Sequence, residues 1–239
     1  MSPTKTEIPI RQRLIVALDV PGFDEAKALV QKLGDAVEFY KIGLELATMP
    51  DYFRILAWLH DQGKRVFADL KLYDIPATVA AAVRQMSTSG ADFLTVHGEK
   101  SVMQAAADAK GDKLKVLAVT VLTSISQEDL TASGVGLSLD ALALARAQQG
   151  VACGVDGFIA SGLEVKNLRE NLGSAPLIVT PGIRPQNHAG GDDQKRIATA
   201  ATALGSGADY IVVGRPVRSA PDPRAAATQL QREIAACYP

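Results

Sequence analysis

Cysteine is nearly missing from this chain of 239 residues: there are two, Cys153 and Cys237, without metal-ligand spacing. A disulfide framework and a thiolate zinc site are therefore not expected, and both cysteines read as reduced thiols. Long hydrophobic runs are missing too. None approaches the ~18 residues needed to span a bilayer, and Met1 to Arg13 has no apolar core of signal-peptide length. A soluble, cytoplasmic protein is the expectation. Neither sign of charge is in excess, with 25 Lys plus Arg against 26 Asp plus Glu and a formal net charge of −1. That balance weighs against general affinity for nucleic acid or anionic membranes, while leaving room for a small, locally basic site. No Walker motif, dinucleotide fingerprint or nucleophilic triad is found. The three histidines, His60, His97 and His188, are not spaced as a ligand pair. His60 reads as a helix-end residue, His97, at the end of the fourth run, as structural or else lining the site, and His188 as solvated.

What is present is a large core and a repeating pattern. Hydrophobic residues make up 47% of the chain. Short apolar runs cover Leu14–Asp19, Val37–Ile42, Val66–Leu70, Phe93–His97, Val116–Leu122, Gly157–Ala160, Leu177–Thr180 and Tyr210–Gly214. They are almost continuous in aliphatic residues, as strands covered on both faces are. Between them lie segments of helical periodicity, for example Ala26, Leu29, Val30 and Leu33, then Tyr52, Ile55, Leu56 and Leu59, and later Ile197, Ala200, Ala201 and Leu204. Asp24 and Asp51 read as N-caps, and Gly34 and Gly63 as helix stops. The longest gap, after the fifth run, holds a short helical turn near Ser126–Leu130 and a helix near Leu139–Gln149. A count of one domain per ~150 residues leaves the domain number open, but a barrel uses about 250 residues as one unit. Eight strand–helix repeats therefore predict a single (β/α)8 TIM barrel over residues 1–239, with an open doubly wound sheet as runner-up.

A barrel builds its site where strands end. Asp19 ends the first strand, Lys41 ends the second, and Asp69 and Lys71 end the third, with Asp74 in the turn before a helix starting near Pro76. Strand alternation puts Asp69 and Lys71 on one face. Unpaired buried charges are too costly to keep, so two acids and two lysines on adjacent strands imply an alternating network or a ligand site. Such packing would hold Lys71 cationic and aimed, as a proton donor to a carbanion requires. A purely structural salt-bridge network is the plainer alternative. Gly214-Arg215 after the eighth run suits a phosphate, although an ordinary strand-to-helix turn would look the same. Pro181–Lys195, rich in Gly, Pro, Asn and Asp, reads as a mobile lid or as a passive loop.

The stretch Asp69-Leu-Lys71-Leu-Tyr-Asp74-Ile-Pro-Ala-Thr78 resembles the signature of the orotidine 5′-monophosphate decarboxylase family. So do Asp19 in Ala-Leu-Asp, Lys41 in Lys-Ile-Gly, Thr123 in Val-Leu-Thr-Ser, Pro181-Gly-Ile-Arg184-Pro, Asp192-Asp-Gln194-Lys-Arg and Val213-Gly214-Arg215-Pro216, in order along nearly the whole chain. The resemblance implies a cofactor-free and metal-free lyase that converts orotidine 5′-monophosphate to UMP and CO2. Lys71 would protonate C6 as CO2 leaves, with Asp69 beside the departing carboxylate. Lys41 and Asp19 would contact the ribose hydroxyls. Asp74 and Thr78 would reach the site from the other subunit of a homodimer. Thr123 would meet the pyrimidine edge. Gln194, Arg215 and the Gly214 backbone would hold the phosphate, and Arg184 would lie in the closing loop.

One rival is a magnesium-dependent sugar-phosphate decarboxylase or synthase of the same suprafamily. Its members carry Glu where this chain has Lys41, and an ammonium is a poor ligand for a hard cation. A noncatalytic phosphate-ligand sensor is a second rival. Ser161-Gly162 and Gly205-Ser-Gly207 read as helix-end punctuation, and Trp58 is assigned no role.

Overall fold

The computed structural model of the protein describes residues 8–184 and 197–238. Eight parallel strands close into a barrel in sequence order: β1 (Leu14–Ala17), β2 (Phe39–Ile42), β3 (Arg65–Leu72), β4 (Phe93–His97), β5 (Lys115–Val119), β6 (Gly157–Ile159), β7 (Leu177–Thr180) and β8 (Tyr210–Val213). The ring is sealed where β1 pairs with β8, Leu14 against Ile211 and Val16 against Val213. The closed barrel is the predicted fold, and the open sheet is excluded.

Two apolar layers follow from the strand alternation. Outward residues such as Val16, Tyr40, Val66, Leu94, Val116, Ile178 and Ile211 are buried under the helices. Inward residues Ile15, Phe39, Phe67, Phe93, Leu117 and Tyr210 fill the barrel's lower interior. Its aromatic rings meet edge to face, Phe39 with Phe93 at 5.0 Å and Phe93 with Tyr210 at 5.2 Å, an arrangement the ring quadrupoles favour. Arg65 closes the floor, its guanidinium 4.4 Å from the Phe39 ring and ion-paired with Asp92 at 3.0 Å. One pleat further along, the inward positions change character to Ala17, Lys41, Asp69, Val119, Ile159 and Val212, and these line a cavity at the strands' C-terminal ends.

Local expectations mostly hold. Tyr52, Ile55, Leu56 and Leu59 are buried on the helix Tyr52–Asp61, and Gly34 ends the helix Phe23–Leu33 at φ 58°. Ser126 opens the helix Gln127–Ala132 with a capping box to Asp129. Some boundaries move. The first and fifth strands stop at Ala17 and Val119, so Asp19 and Thr123 stand past their strand ends. Asp24 lies in its helix's first turn, with Gly22 at the N-cap position. Asp51 occupies an N-cap position but makes no capping bond to the backbone. Ile197 is exposed and outside the helix Ala200–Gly205, which Thr199 caps through the Thr202 N–H; Ala200, Ala203 and Leu204 are its buried face.

Candidate active site

The cavity holds about 580 Å³, a size suited to a small ligand such as a nucleotide. Along one wall four charged side chains alternate in sign. Lys41 Nζ donates to Asp19 Oδ1 at 3.1 Å and lies 3.4 Å from Asp69 Oδ2, while Lys71 Nζ lies 2.8 Å from Asp69 Oδ1. The middle of this chain is the most enclosed. The side chains of Asp69 and Lys41 are 12% and 13% exposed, against 28% for Lys71 and 42% for Asp19.

Burial alone would push the Asp69 carboxyl up, but the charges of Lys41 and Lys71, with hydrogen bonds from Lys71 and Thr95, hold it below its ordinary value of 3.8. Burial would likewise lower Lys41, yet Asp69 and Asp19 outweigh it and raise its pKa above 10.5. Both groups therefore stay charged at neutral pH. Removing Asp69 would leave Lys71 without its carboxylate and Lys41, a buried cation, with only the more exposed Asp19.

The expectation that plain alternation sets Asp69 and Lys71 on one face holds in outcome but not in cause. The β3–β4 register shifts between Ala68 and Leu72, and Lys71 sits at φ 48°, the one non-glycine residue with positive φ among those described. This left-handed conformation costs an L-residue about 1–2 kcal/mol. Strain of this kind persists where surrounding structure fixes it, and it concentrates at functional sites. Thr95, fully buried on β4, holds the bulge: its hydroxyl accepts from the Lys71 N–H at 3.0 Å and donates to Asp69 Oδ1 at 2.9 Å. Gly43 gives Lys41 its room, since a Cβ there would lie 3.0 Å from Lys41 Nζ.

The remaining predicted residues divide into three groups. Thr123, Arg184, Gly214 and Arg215 line the same cavity. Arg184 is 6% exposed and donates from its guanidinium to the Ile183 carbonyl, and its backbone bonds Ala198. Gly214 is the N-cap of the short helix Arg215–Arg218. Asp74 and Thr78 are exposed and do not line the cavity of their own chain; Asp74 accepts the Ile75 N–H at 2.6 Å, and the helix Pro76–Met86 has no side-chain cap. Gln194, with His188 and most of the predicted lid, lies outside the described residues.

Sequence reasoning missed Thr95 and Arg218. Arg218 also lines the cavity, and its guanidinium donates to the backbone carbonyl of Asp19. Its spacing, one turn after Arg215, was the available signal. His97 is outside the cavity, its ring 5.0 Å from that of Tyr73. Burial lowers its pKa against the opposing charge of Glu99. Among the described residues no three His, Cys, Asp or Glu side chains cluster as metal ligands.

Residues 12–230 match the family model described as "Orotidine 5'-phosphate decarboxylase / HUMPS family". The chain belongs to this family. A relative named orotidine 5′-phosphate decarboxylase from Methylococcus capsulatus is 51% identical over 227 residues, 95% of this chain and 93% of its own. One of the same name from Xanthomonas euvesicatoria pv. vesicatoria is 48% identical over 240 residues, 100% of this chain and 98% of its own. Among solved structures, the orotidine 5′-phosphate decarboxylase of Lactobacillus acidophilus superposes with a TM-score of 0.82 at 36% identity, covering 93% of this chain and 99% of that one. The family match spans every strand and all four members of the charged chain.

Proposed function

We propose that the chain decarboxylates orotidine 5′-monophosphate to UMP and CO2, a carboxy-lyase step of pyrimidine nucleotide synthesis. The observation that carries this is the alternating chain Asp19, Lys41, Asp69 and Lys71 on the wall of a nucleotide-sized cavity. It is supported by relatives of that name at about half identity over nearly the full length.

In this reaction the bond from C6 to the carboxylate breaks, CO2 departs, and the electron pair stays on C6. The Lys71 ammonium stabilises that developing charge and then supplies the proton; the resulting amine takes a proton back from water. Fixed charges aimed at the site where charge develops are the most effective catalytic device a protein has, because no reorganisation is needed during the reaction. Asp69 holds Lys71 in direction and lies beside the departing carboxylate. Lys41 and Asp19 meet the ribose hydroxyls, one donating and one accepting. Thr123 meets the pyrimidine edge. Arg215 binds the phosphate with a planar pair of donors, joined by the Gly214 backbone and Gln194, and Arg184 belongs to the segment that closes over it.

Asp74 and Thr78 complete the site of the partner subunit in a homodimer. This is supported by their exposure away from their own cavity and by the exposed Tyr73 and Ile75 that flank Asp74. We place the enzyme in the cytoplasm, in keeping with two unpaired cysteines.

The test is the loss of orotidine 5′-monophosphate absorbance on adding purified protein, with UMP and CO2 formed in equal amounts. Chelation should leave the rate unchanged, because the cavity wall presents two ammonium groups, which repel a divalent cation. No turnover, or turnover abolished by chelation and restored by magnesium, would overturn this assignment.

A further inference from the structure

The catalytic lysine stands on a strand that does not run regularly. From Ala68 to Leu72 β3 takes four steps while β4 takes two, from Leu94 to Val96. The surplus puckers the segment Asp69-Leu70-Lys71 away from the ladder and leaves Lys71 at φ 48°. A bulge of this kind loses backbone pairing and re-aims a side chain, and a buried N–H without a partner is not tolerated. Thr95 is the β4 residue opposite the pucker. Its side chain, not its backbone, takes the Lys71 N–H at 3.0 Å.

A hydroxyl has one hydrogen to give. Asp69 Oδ1 is an ionised carboxylate oxygen 2.9 Å away and can only accept, so the Thr95 hydrogen points there. One atom thus ties the backbone of the proton donor to the carboxylate that aims its ammonium. Within β4 the neighbours Leu94 and Val96 face the helices and Thr95 faces the interior, above the aromatic ring of Phe93. An aliphatic residue would satisfy packing at that position, and a hydroxyl does more.

We propose that Thr95 is a positioning residue for catalysis: its hydroxyl locks Lys71 in its left-handed conformation and fixes Asp69 against it, without touching substrate. The inference rests on the functional assignment above, in which Lys71 is the proton donor. Thr95→Val keeps the shape and removes both hydrogen bonds, whereas Thr95→Ser keeps the hydroxyl and removes only a methyl. Lysine displaced by about 1 Å would lower kcat on the order of a hundredfold. UMP affinity, which depends on the ribose and phosphate contacts, should stay at the wild-type value. The acid limb of kcat should move to higher pH in Thr95→Val, because the carboxylate of Asp69 loses a donor that favours its ionised form. Thr95→Ser should recover most of the turnover.

A folded Thr95→Val with wild-type kcat and pH profile overturns the inference, and so does one that loses kcat and UMP affinity in parallel. If Thr95→Val does not fold, Thr95→Ser decides: near wild-type kcat despite a lower Tm supports the hydroxyl's role, and turnover falling together with Tm overturns it. A wild-type protein that leaves orotidine 5′-monophosphate untouched would overturn the functional assignment and this inference with it. An active wild type with an unaffected Thr95→Val overturns the inference alone.

Discussion

Asp69 Oδ1 lies 2.8 Å from Lys71 Nζ, so two residues two positions apart in a strand form the tightest contact in the charged chain. Nearby, Asp69 Oδ2 lies 3.4 Å from Lys41, which in turn holds Asp19. A single buried carboxylate therefore pairs with two cations on the cavity wall. If either ammonium moves away, Asp69 keeps one counter-charge in place of two.

Lys71→Ala should reduce turnover by about 10³-fold or more, since general acid catalysis alone is worth about 10² to 10⁴ and the electrostatic stabilisation goes with it. The barrel should remain folded, because Lys71 lies at the cavity wall and outside both apolar clusters. Steady-state kinetics with circular dichroism checks both halves. Near-normal turnover would remove Lys71 from the mechanism.

The charged chain also sets a pH dependence of stability. Asp69 is held below its ordinary 3.8, so its contribution is present above that value and is lost as pH falls through the lower folded-state pKa. Lys41 is held above 10.5, so its contribution is present below that value and is lost as pH rises through the raised one. Neither group titrates in between. The urea midpoint should not change on their account from about pH 5 to 9. Asp69→Asn should lower neutral-pH stability by about 2 kcal/mol, the scale of a charged hydrogen bond, and should flatten the decline below pH 4. A variant equal to wild type at pH 7, with the same acid decline, would show that the network contributes nothing to stability.

Arg215→Ala should weaken nucleotide binding and also lower kcat, because binding energy from a nonreacting phosphate can order the reacting end of the site. Orotidine without its phosphate should be a very poor substrate, and added phosphite should partly restore its decarboxylation. Equal kcat/KM for nucleoside and nucleotide would show that the phosphate does no such work.

The charged residues were legible in sequence for a physical reason. A charge at the end of an apolar run cannot be buried alone, so Asp19, Lys41, Asp69 and Lys71 imply a network from sequence. The eight strands were legible from their continuous apolar character. What pattern could not carry was the β3 bulge, because a register shift depends on the partner strand and leaves no mark on the period of its own. Thr95 stayed hidden for a related reason: a β-branched hydroxyl is common in strands and raises no electrostatic alarm. Arg218 looked like any basic residue on a surface turn. Near Ala200 the apolar period runs back to Ile197, whereas the helix starts after Thr199, an N-cap residue type that marks its first turn. The roles of Asp74 and Thr78 come from resemblance alone, since a single chain displays only that they are exposed and do not line its own cavity.

Those two residues supply the last prediction, which concerns assembly. If Asp74 is lent to the neighbouring barrel, a defect in it damages the partner's site, whereas a defect in Lys41 damages its own. A cap on its own helix is not the role of Asp74: the helix Pro76–Met86 carries no side-chain cap, and the Asp74 carboxylate accepts from the Ile75 N–H. Lys41→Ala and Asp74→Asn homodimers should each be nearly inactive. In a heterodimer of the two, one site receives both defects and the other neither, as a two-fold axis requires. With free exchange and equal amounts, about half of the dimers are mixed and each has one intact site, so roughly a quarter of all sites should recover. Mixing the variants, demonstrating exchange by native mass spectrometry and then measuring kcat gives the answer. Proven heterodimers without recovered turnover would place Asp74 in its own chain's site and leave the interface without a catalytic role.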